Sequence, residues 1–288
     1  MEVTRENTRI KIEIENYKGE KVKVNYPGFM YNILAMLYND VKYKLDASII
    51  ITGGVGSGKT NIGIGIGGLW EMFFNRYHKL ENIHFSAEDV VKFTDREETE
   101  THVCHFDESI QGGSGRDVIS KQGNMLKITL ITKRRKRHLY IFIVDNIMEL
   151  SRKIIERSSF LIHAYYKKSN ARIIRGSARF IPNNDMRKIY DSLKSKWISN
   201  IQQYPKYKYS EKVSFSNYND IWFSEEEYDK KKIKDTSLLV EKENKDPRLE
   251  QRDKAIMGML AKGMKQQEIA NIIGLSRSTI SDIKVKYA

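Results

Sequence analysis

Apolar and polar residues alternate near the start of the chain: Ile10, Ile12 and Ile14 share one face, Lys18-Gly19-Glu20 interrupt them, and Val22 and Val24 resume. A period of two on either side of a short glycine-containing turn predicts a β-hairpin over residues 9–26. The spacing then lengthens. Met30, Leu34, Leu37 and Val41 fall at helical intervals, which predicts a helix over 29–44. From residue 47 onward, short apolar blocks near 47–52, 83–86, 102–107, 139–145 and 159–165 alternate with longer segments of helical character. Such interleaving predicts an α/β fold, a mostly parallel sheet flanked by helices on both faces.

Beyond residue 182 the pattern changes. Met186, Ile189, Leu193, Trp197 and Ile201 predict a helix over 183–203. Residues 204–247 are rich in Tyr, Lys, Ser and Glu, have no clean period and end in EKENKDPR, so an arm and then a linker are expected. Residues 248–288 become periodic again. The expected organisation is a hairpin and helix (1–46), an α/β core (47–203), the arm and linker (204–247) and a small all-α domain (248–288).

Composition narrows the function. Fifty Lys and Arg against 37 Asp and Glu leave a net charge of +13, which suits a partner covered in phosphates. A single cysteine, Cys104, forms no internal disulfide or thiolate cluster and fits a reducing compartment. No apolar run is long enough to span a bilayer, and the N-terminal MEVTRENTRIKIEIE has no apolar signal core. The expectation is a soluble cytoplasmic protein, in a host's cytoplasm if a virus or mobile element encodes it, with no membrane partner.

The chemistry concentrates at one point. Gly53, Gly54, Val55, Gly56, Ser57, Gly58, Lys59 and Thr60 fill the pattern G-x-x-x-x-G-K-[ST], between the strand-like Ser48–Ile51 and a helix-like segment that opens at Asn61. Glycines let successive N–H groups turn inward on phosphates; Lys59 reaches the outer phosphates, and Thr60 binds Mg²⁺. ATP and Mg²⁺ are therefore the expected ligands. A second strand, 102–106, ends in Asp107-Glu108. Asp107 is the candidate for the metal shell and Glu108 for the base that polarises the attacking water. His102 and His105 are read as strand side chains. The block at 83–86 leaves open whether an extra strand lies between the two catalytic strands or outside them.

A third apolar run, Leu139–Val144, delivers Asp145 and Asn146 to the same edge. Asn146 is either a sensor of the γ-phosphate or a turn residue. The run Lys133-Arg134-Arg135-Lys136-Arg137 suits a DNA backbone or an arginine finger reaching a neighbour's ATP. Arg135 and Arg137 lead the candidates, with Arg134, Arg152 and Arg157 behind them.

Taken together, residues 47–166 resemble the FtsK/HerA-type P-loop DNA-pumping ATPases, nearest in style to the compact packaging-type ATPases of viruses and mobile elements. The resemblance implies a homo-oligomeric ring, commonly a hexamer, with ATP between subunits and double-stranded DNA through the centre. It assigns Lys59, Thr60, Asp107 and Glu108 directly. Where that family often carries Gln at the end of the sensor strand, this chain has Asn146. The filamentous-phage assembly ATPases resembling Zot share similar motifs together with a membrane span, which is missing here.

Residues 266–285, QQEIANIIGLSRSTISDIKV, resemble a helix-turn-helix. Ala270 falls where two helices cross, Gly274 at the turn, and Ser276 at the cap of the second helix. Arg277, Ser278, Thr279, Ser281 and Lys284 then face a DNA major groove, with Ser276 at its edge. The combined expectation is an ATP-hydrolysing DNA translocase or packaging-type motor recruited to DNA by this domain. Two rivals remain: an AAA-like DNA-binding regulator or transposition or replication helper, and a helix-turn-helix regulator with a P-loop nucleotide switch.

Overall fold

The computed structural model describes residues 3–6, 9–96, 98, 100–107, 116–169, 172–196, 211–244 and 247–287. The chain divides into two compact units, Met1–Lys232 and Ile233–Ala288.

In the first unit, β1 (Val3–Glu6), β2 (Arg9–Glu15) and β3 (Lys21–Pro27) form a small antiparallel sheet. Ile12 pairs with Val24 and Ile14 with Val22. The alternation read from the sequence thus puts Ile10, Ile12, Val24 and Tyr26 into the core. Helix α1 (Gly28–Lys42) follows and buries Met30, Leu34, Leu37 and Val41.

The main sheet contains β4 (Ala47–Gly53), β5 (Ile83–His84), β6 (Val103–Asp107), β7 (Leu139–Ile143), β8 (Phe160–Ser169), β9 (Arg172–Pro182) and β10 (Glu211–Ser214), in the order β10-β9-β8-β4-β7-β6-β5. The strands from β8 to β5 run parallel, and β9 and β10 close one side antiparallel. The strand lying between β4 and β6 is β7; β5, the block before Asp107 in sequence, lies outside at the edge.

All seven residues of β4 are buried, as a strand covered on both faces must be. Its alternate residues sort the helices into two layers. Ile49 and Ile51 pack with α1 and α2 (Lys59–Phe73). Ile50 packs on the opposite side with α3 (Ala87–Asp95), α4 (Arg116–Thr132), α5 (Arg152–Arg157) and α6 (Asn183–Lys196). Residues 215–223 and the start of α7 (Glu225–Asn244) join the α1–α2 side through Phe215, Tyr218, Trp222, Phe223 and Tyr228.

Close approach explains the glycine-rich sequence of α2. A Cβ on Gly63 would lie 2.8 Å from both His105 and Ile143, so the helix axis rides low over β6 and β7. On its outer side, a Cβ on Gly65 would sit 2.2 Å from the Tyr218 ring, and one on Gly68 2.1 Å from Trp222. The helix is buried on every side, and aromatic rings occupy the volume its missing side chains leave.

The second unit holds α8 (Pro247–Ala261), α9 (Gln266–Ile273) and α10 (Arg277–Tyr287). They enclose a small core of Ile256, Ile269, Ala270, Ile280 and Ile283. Gly274 ends α9 with φ +74°, a left-handed conformation that glycine adopts without steric cost.

Candidate active site

The loop between β4 and α2 sits at the C-terminal edge of the parallel strands. Gly58 precedes α2 in the left-handed conformation, φ +91°, which turns the chain so that the helix N-terminus faces the loop. Lys59 is almost fully buried and donates from Nζ to Gly53 O at 2.7 Å and Gly54 O at 3.3 Å. Its third partner is Asp145 Oδ1, at 2.7 Å. Asp145 comes into reach because β7 is pinned beside β4: Ile51 pairs with Ile143, and Val144 N donates to Ile51 O at 3.0 Å.

Asp107 ends β6, two strands away from the loop, and is fully buried. The low seat of α2 lets its first turn span that gap, and Thr60 Oγ1 donates to Asp107 Oδ2 at 2.9 Å. Tyr228 OH, from the start of α7, donates to the same oxygen at 2.7 Å. Asp107 Oδ1 is buried and has no hydrogen-bond partner among the described residues. A buried carboxylate oxygen without a donor, beside a threonine hydroxyl, is what a hydrated hard cation would satisfy. The residues present therefore fit Mg²⁺, which Thr60 and Asp107 would hold. Glu108, the expected base, lies outside the described residues.

Thr60 and Tyr228, the two donors to the fully buried Asp107, line a cavity of about 640 Å³, within the size range of small-ligand sites. Val55, Gly56, Ser57, Gly58, Lys59, Thr60, Asn61 and Asp145 form one wall. The opposite wall includes Arg175, Gly176, Phe223, Tyr228 and Lys232. Asn61 ties the walls together: its Nδ2 donates to Ser216 O at 2.8 Å, and its Oδ1 accepts from Tyr218 N at 2.6 Å. Arg175 and Lys232 bring two further cations to the cavity that holds Lys59. The sequence offered no sign of them, because both lie far from the motif in chain order.

The structure separates other expected residues from this cluster. Asn146 does not line the cavity; its side chain accepts from Met148 N at 3.0 Å and caps a short 3₁₀ turn, residues Ile147–Glu149. Its neighbour Asp145 is the residue that reaches Lys59. Glu149 Oε1 accepts from Asn146 N at 3.1 Å. Burial, and then the Asp145 carboxylate, push Glu149 up to about 7.

The basic run lies ahead of β7, at the opposite edge of the sheet. Seven residues, 138–144, separate it from Asp145, roughly 23 Å of extended chain. Most of its charges are already engaged. Lys133 pairs with Asp95, Arg134 with Asp46 at 3.5 Å and Arg137 with Glu100 at 2.8 Å, while Lys136 donates to Arg96 O at 2.8 Å. Arg135 is exposed, and the described residues give it no ion pair. Arg157 pairs with Asp46 at 3.1 Å, and Arg152 with Glu156 at 3.0 Å. None of these arginines lines the cavity of its own chain.

In the second unit, Thr279 N donates to Ser276 Oγ at 3.1 Å, so Ser276 caps α10. Arg277, Ser278 and Lys284 are exposed, while Thr279 and Ser281 are half-buried. Leu275 N and Gly274 N both close on Ala270 O, at 3.0 and 2.9 Å, which makes the link between α9 and α10 a tight turn.

The sequence matches no protein-family model and no curated protein. Among solved structures, the chain is similar to the N-terminal domain of zonular occludens toxin from Neisseria meningitidis. That likeness is 16% identical, covers 62% of this chain and 100% of that one, and has a TM-score of 0.36. It is too distant to transfer any property. No helix among the described residues is long and apolar enough to cross a membrane.

Proposed function

We propose that this protein hydrolyses ATP and works on double-stranded DNA, as a translocase or packaging-type motor that assembles as a ring. The observation that carries the nucleotide half is the hydrogen bond from Thr60, which lines a cavity together with Lys59, to the buried Asp107 behind it. Backbone N–H groups of 54–60 and the N-terminus of α2 would take the phosphates. Lys59 would exchange its loop carbonyls and Asp145 for phosphate oxygens. Mg²⁺, when bound, would neutralise charge gathering on the transferred phosphoryl group.

The DNA half rests on the net charge of +13 and on α8–α10 read as a helix-turn-helix. In that reading α10 presents Arg277, Ser278 and Lys284 to the major groove. Arg135, exposed at the far edge of the sheet, is the first candidate for a finger supplied to a neighbour's nucleotide. One observation favours a second reading. Arg175 and Lys232 stand on the wall of the chain's own cavity, so a nucleotide switch in a DNA-binding regulator would need no neighbour to supply a cation.

The test is ATP turnover with and without linear duplex, alongside Lys59→Ala. Turnover that is stimulated by duplex and abolished in the variant supports the proposal. Turnover that ignores DNA removes its DNA half, and equal turnover in the variant removes its nucleotide half.

A further inference from the structure

The seating of Asp107 goes further than its contact with Thr60. Two hydroxyl donors converge on Oδ2, Thr60 Oγ1 at 2.9 Å and Tyr228 OH at 2.7 Å, while Oδ1 has no donor among the described residues. Two donors on one oxygen fix the torsion of a carboxylate and leave the other oxygen as its available acceptor. Tyr228 comes from 121 residues further along the chain, so something must hold it there.

Its neighbours do that on both sides. The Tyr228 ring packs edge-on against Phe85, with centroids 5.7 Å apart, and stacks on Phe223 at 6.4 Å. Just beyond it, Lys231 Nζ donates to Leu80 O at 3.0 Å and to Ile83 O. Ahead of it, Trp222 fills the volume beside Gly68, and Tyr218 stacks on Tyr26 at 5.1 Å and donates to Asn25 O at 3.1 Å. Asn61, the residue after Thr60, bonds Ser216 and Tyr218. Residues 215–232 therefore cross α2 and touch its first turn, directly after the phosphate loop, at one end and the acidic strand at the other.

We propose that Tyr228 is the positioning residue for Asp107, and that residues 215–232 form a strap whose seating completes the metal side of the nucleotide site. The proposal rests on the nucleotide-binding reading above. With Tyr228 in place, Asp107 is oriented before any cation arrives. Without that hydroxyl, Thr60 alone would have to orient the carboxylate while also turning its oxygen to the metal. Linkage makes the effect reciprocal: a metal–nucleotide pair that needs the seated strap must also stabilise it.

The test uses the full chain and a fluorescent ATP analogue, titrated in EDTA and in Mg²⁺. In wild type, Mg²⁺ should tighten binding. Tyr228→Phe keeps the ring and loses one bond to a charged group, so the Mg²⁺ enhancement should fall about tenfold while EDTA affinity stays put. In an Asp107→Asn background, Tyr228→Phe should add nothing, because its partner's charge is already gone. Limited proteolysis gives a second readout: Mg²⁺ and nucleotide should protect residues 215–232 in wild type, and less in Tyr228→Phe. No analogue binding by folded wild type overturns the nucleotide reading and this proposal with it. A full or increased Mg²⁺ enhancement in Tyr228→Phe overturns the proposal and leaves the nucleotide reading intact. Loss of EDTA affinity in the same variant also overturns it, since the tyrosine would then be holding up the fold rather than the carboxylate.

Discussion

Beyond the tip of β7, Asp145 holds Lys59 at 2.7 Å from a half-exposed position on the cavity wall. If the site takes a nucleotide as proposed, a carboxylate there would compete with the phosphates for the same ammonium group. Lys59 is buried, but Asp145 is half exposed, so water screens the pair and its contribution is about 1 kcal/mol. Asp145→Asn should therefore tighten nucleotide binding roughly fivefold; equal or weaker binding in a fluorescence titration would rule the competition out. Glu149 supplies a pH signature at the same corner. Its folded-state value of about 7 stands above the ordinary 4.5, chiefly through burial and secondly through Asp145. A carboxyl that binds its proton more tightly when folded contributes stability that is fully present below about pH 4.5 and lost as the pH rises through about 7. In urea titrations at pH 5 and pH 8, Glu149→Gln should lose that component, so wild type gains on the variant at the acid end. A constant difference between the two proteins at both pH values would show that Glu149 ionises alike in the folded and unfolded chain.

Among the elements, α2 is the most constrained, because its glycines are filled from outside by Tyr218 and Trp222. A methyl group on Gly68 would lie 2.1 Å from the Trp222 ring, and overpacking of this kind costs about 1–3 kcal/mol. Gly68→Ala should lower the urea midpoint by that equivalent, and Trp222→Leu in the same chain should recover part of the loss. If the two losses simply add, the ring and the helix are not in contact. The parallel strands and α1 were legible because each buries a continuous or periodic apolar set, and the motif 53–60 because its chemistry fixes its spacing. Residues 211–232 were not. Their buried side chains, Phe215, Tyr218, Trp222, Phe223 and Tyr228, fit individual gaps in α2 and beside β5, and side chains chosen for separate gaps follow no period. The strands β9 and β10 stayed hidden for a related reason: RIIRGSARFIP mixes arginines with apolar residues, and neither strand ends in a chemical motif. At the tip of β7 the polar residue that meets Lys59 is Asp145, one position ahead of the expected sensor, because the ladder to β4 runs through Val144.

For the whole molecule, the two proposed readings differ in which residue would supply the phosphates with a second cation. Arg135 lies at the edge of the sheet opposite the loop, so it can serve only a neighbour, whereas Arg175 borders the chain's own cavity. If the ring is the working form, specific ATPase activity should rise with protein concentration and with duplex. Mixing Arg135→Ala with Lys59→Ala should then restore part of the activity that each lacks alone, since an arginine finger is worth about three to five orders of magnitude in rate. A rate that is independent of concentration and collapses in Arg175→Ala selects the switch instead. The crossing of α2 by residues 215–232 also bears on how the chain is made. Synthesis proceeds at about 5–20 residues per second, so on the order of ten seconds separate the appearance of α2 from that of Trp222. Through that interval the nascent polypeptide carries a glycine-lined apolar groove with nothing to fill it. Premature termination in the stretch before residue 222 would leave a product that exposes its own core, a substrate for chaperones and proteases rather than a smaller folded protein.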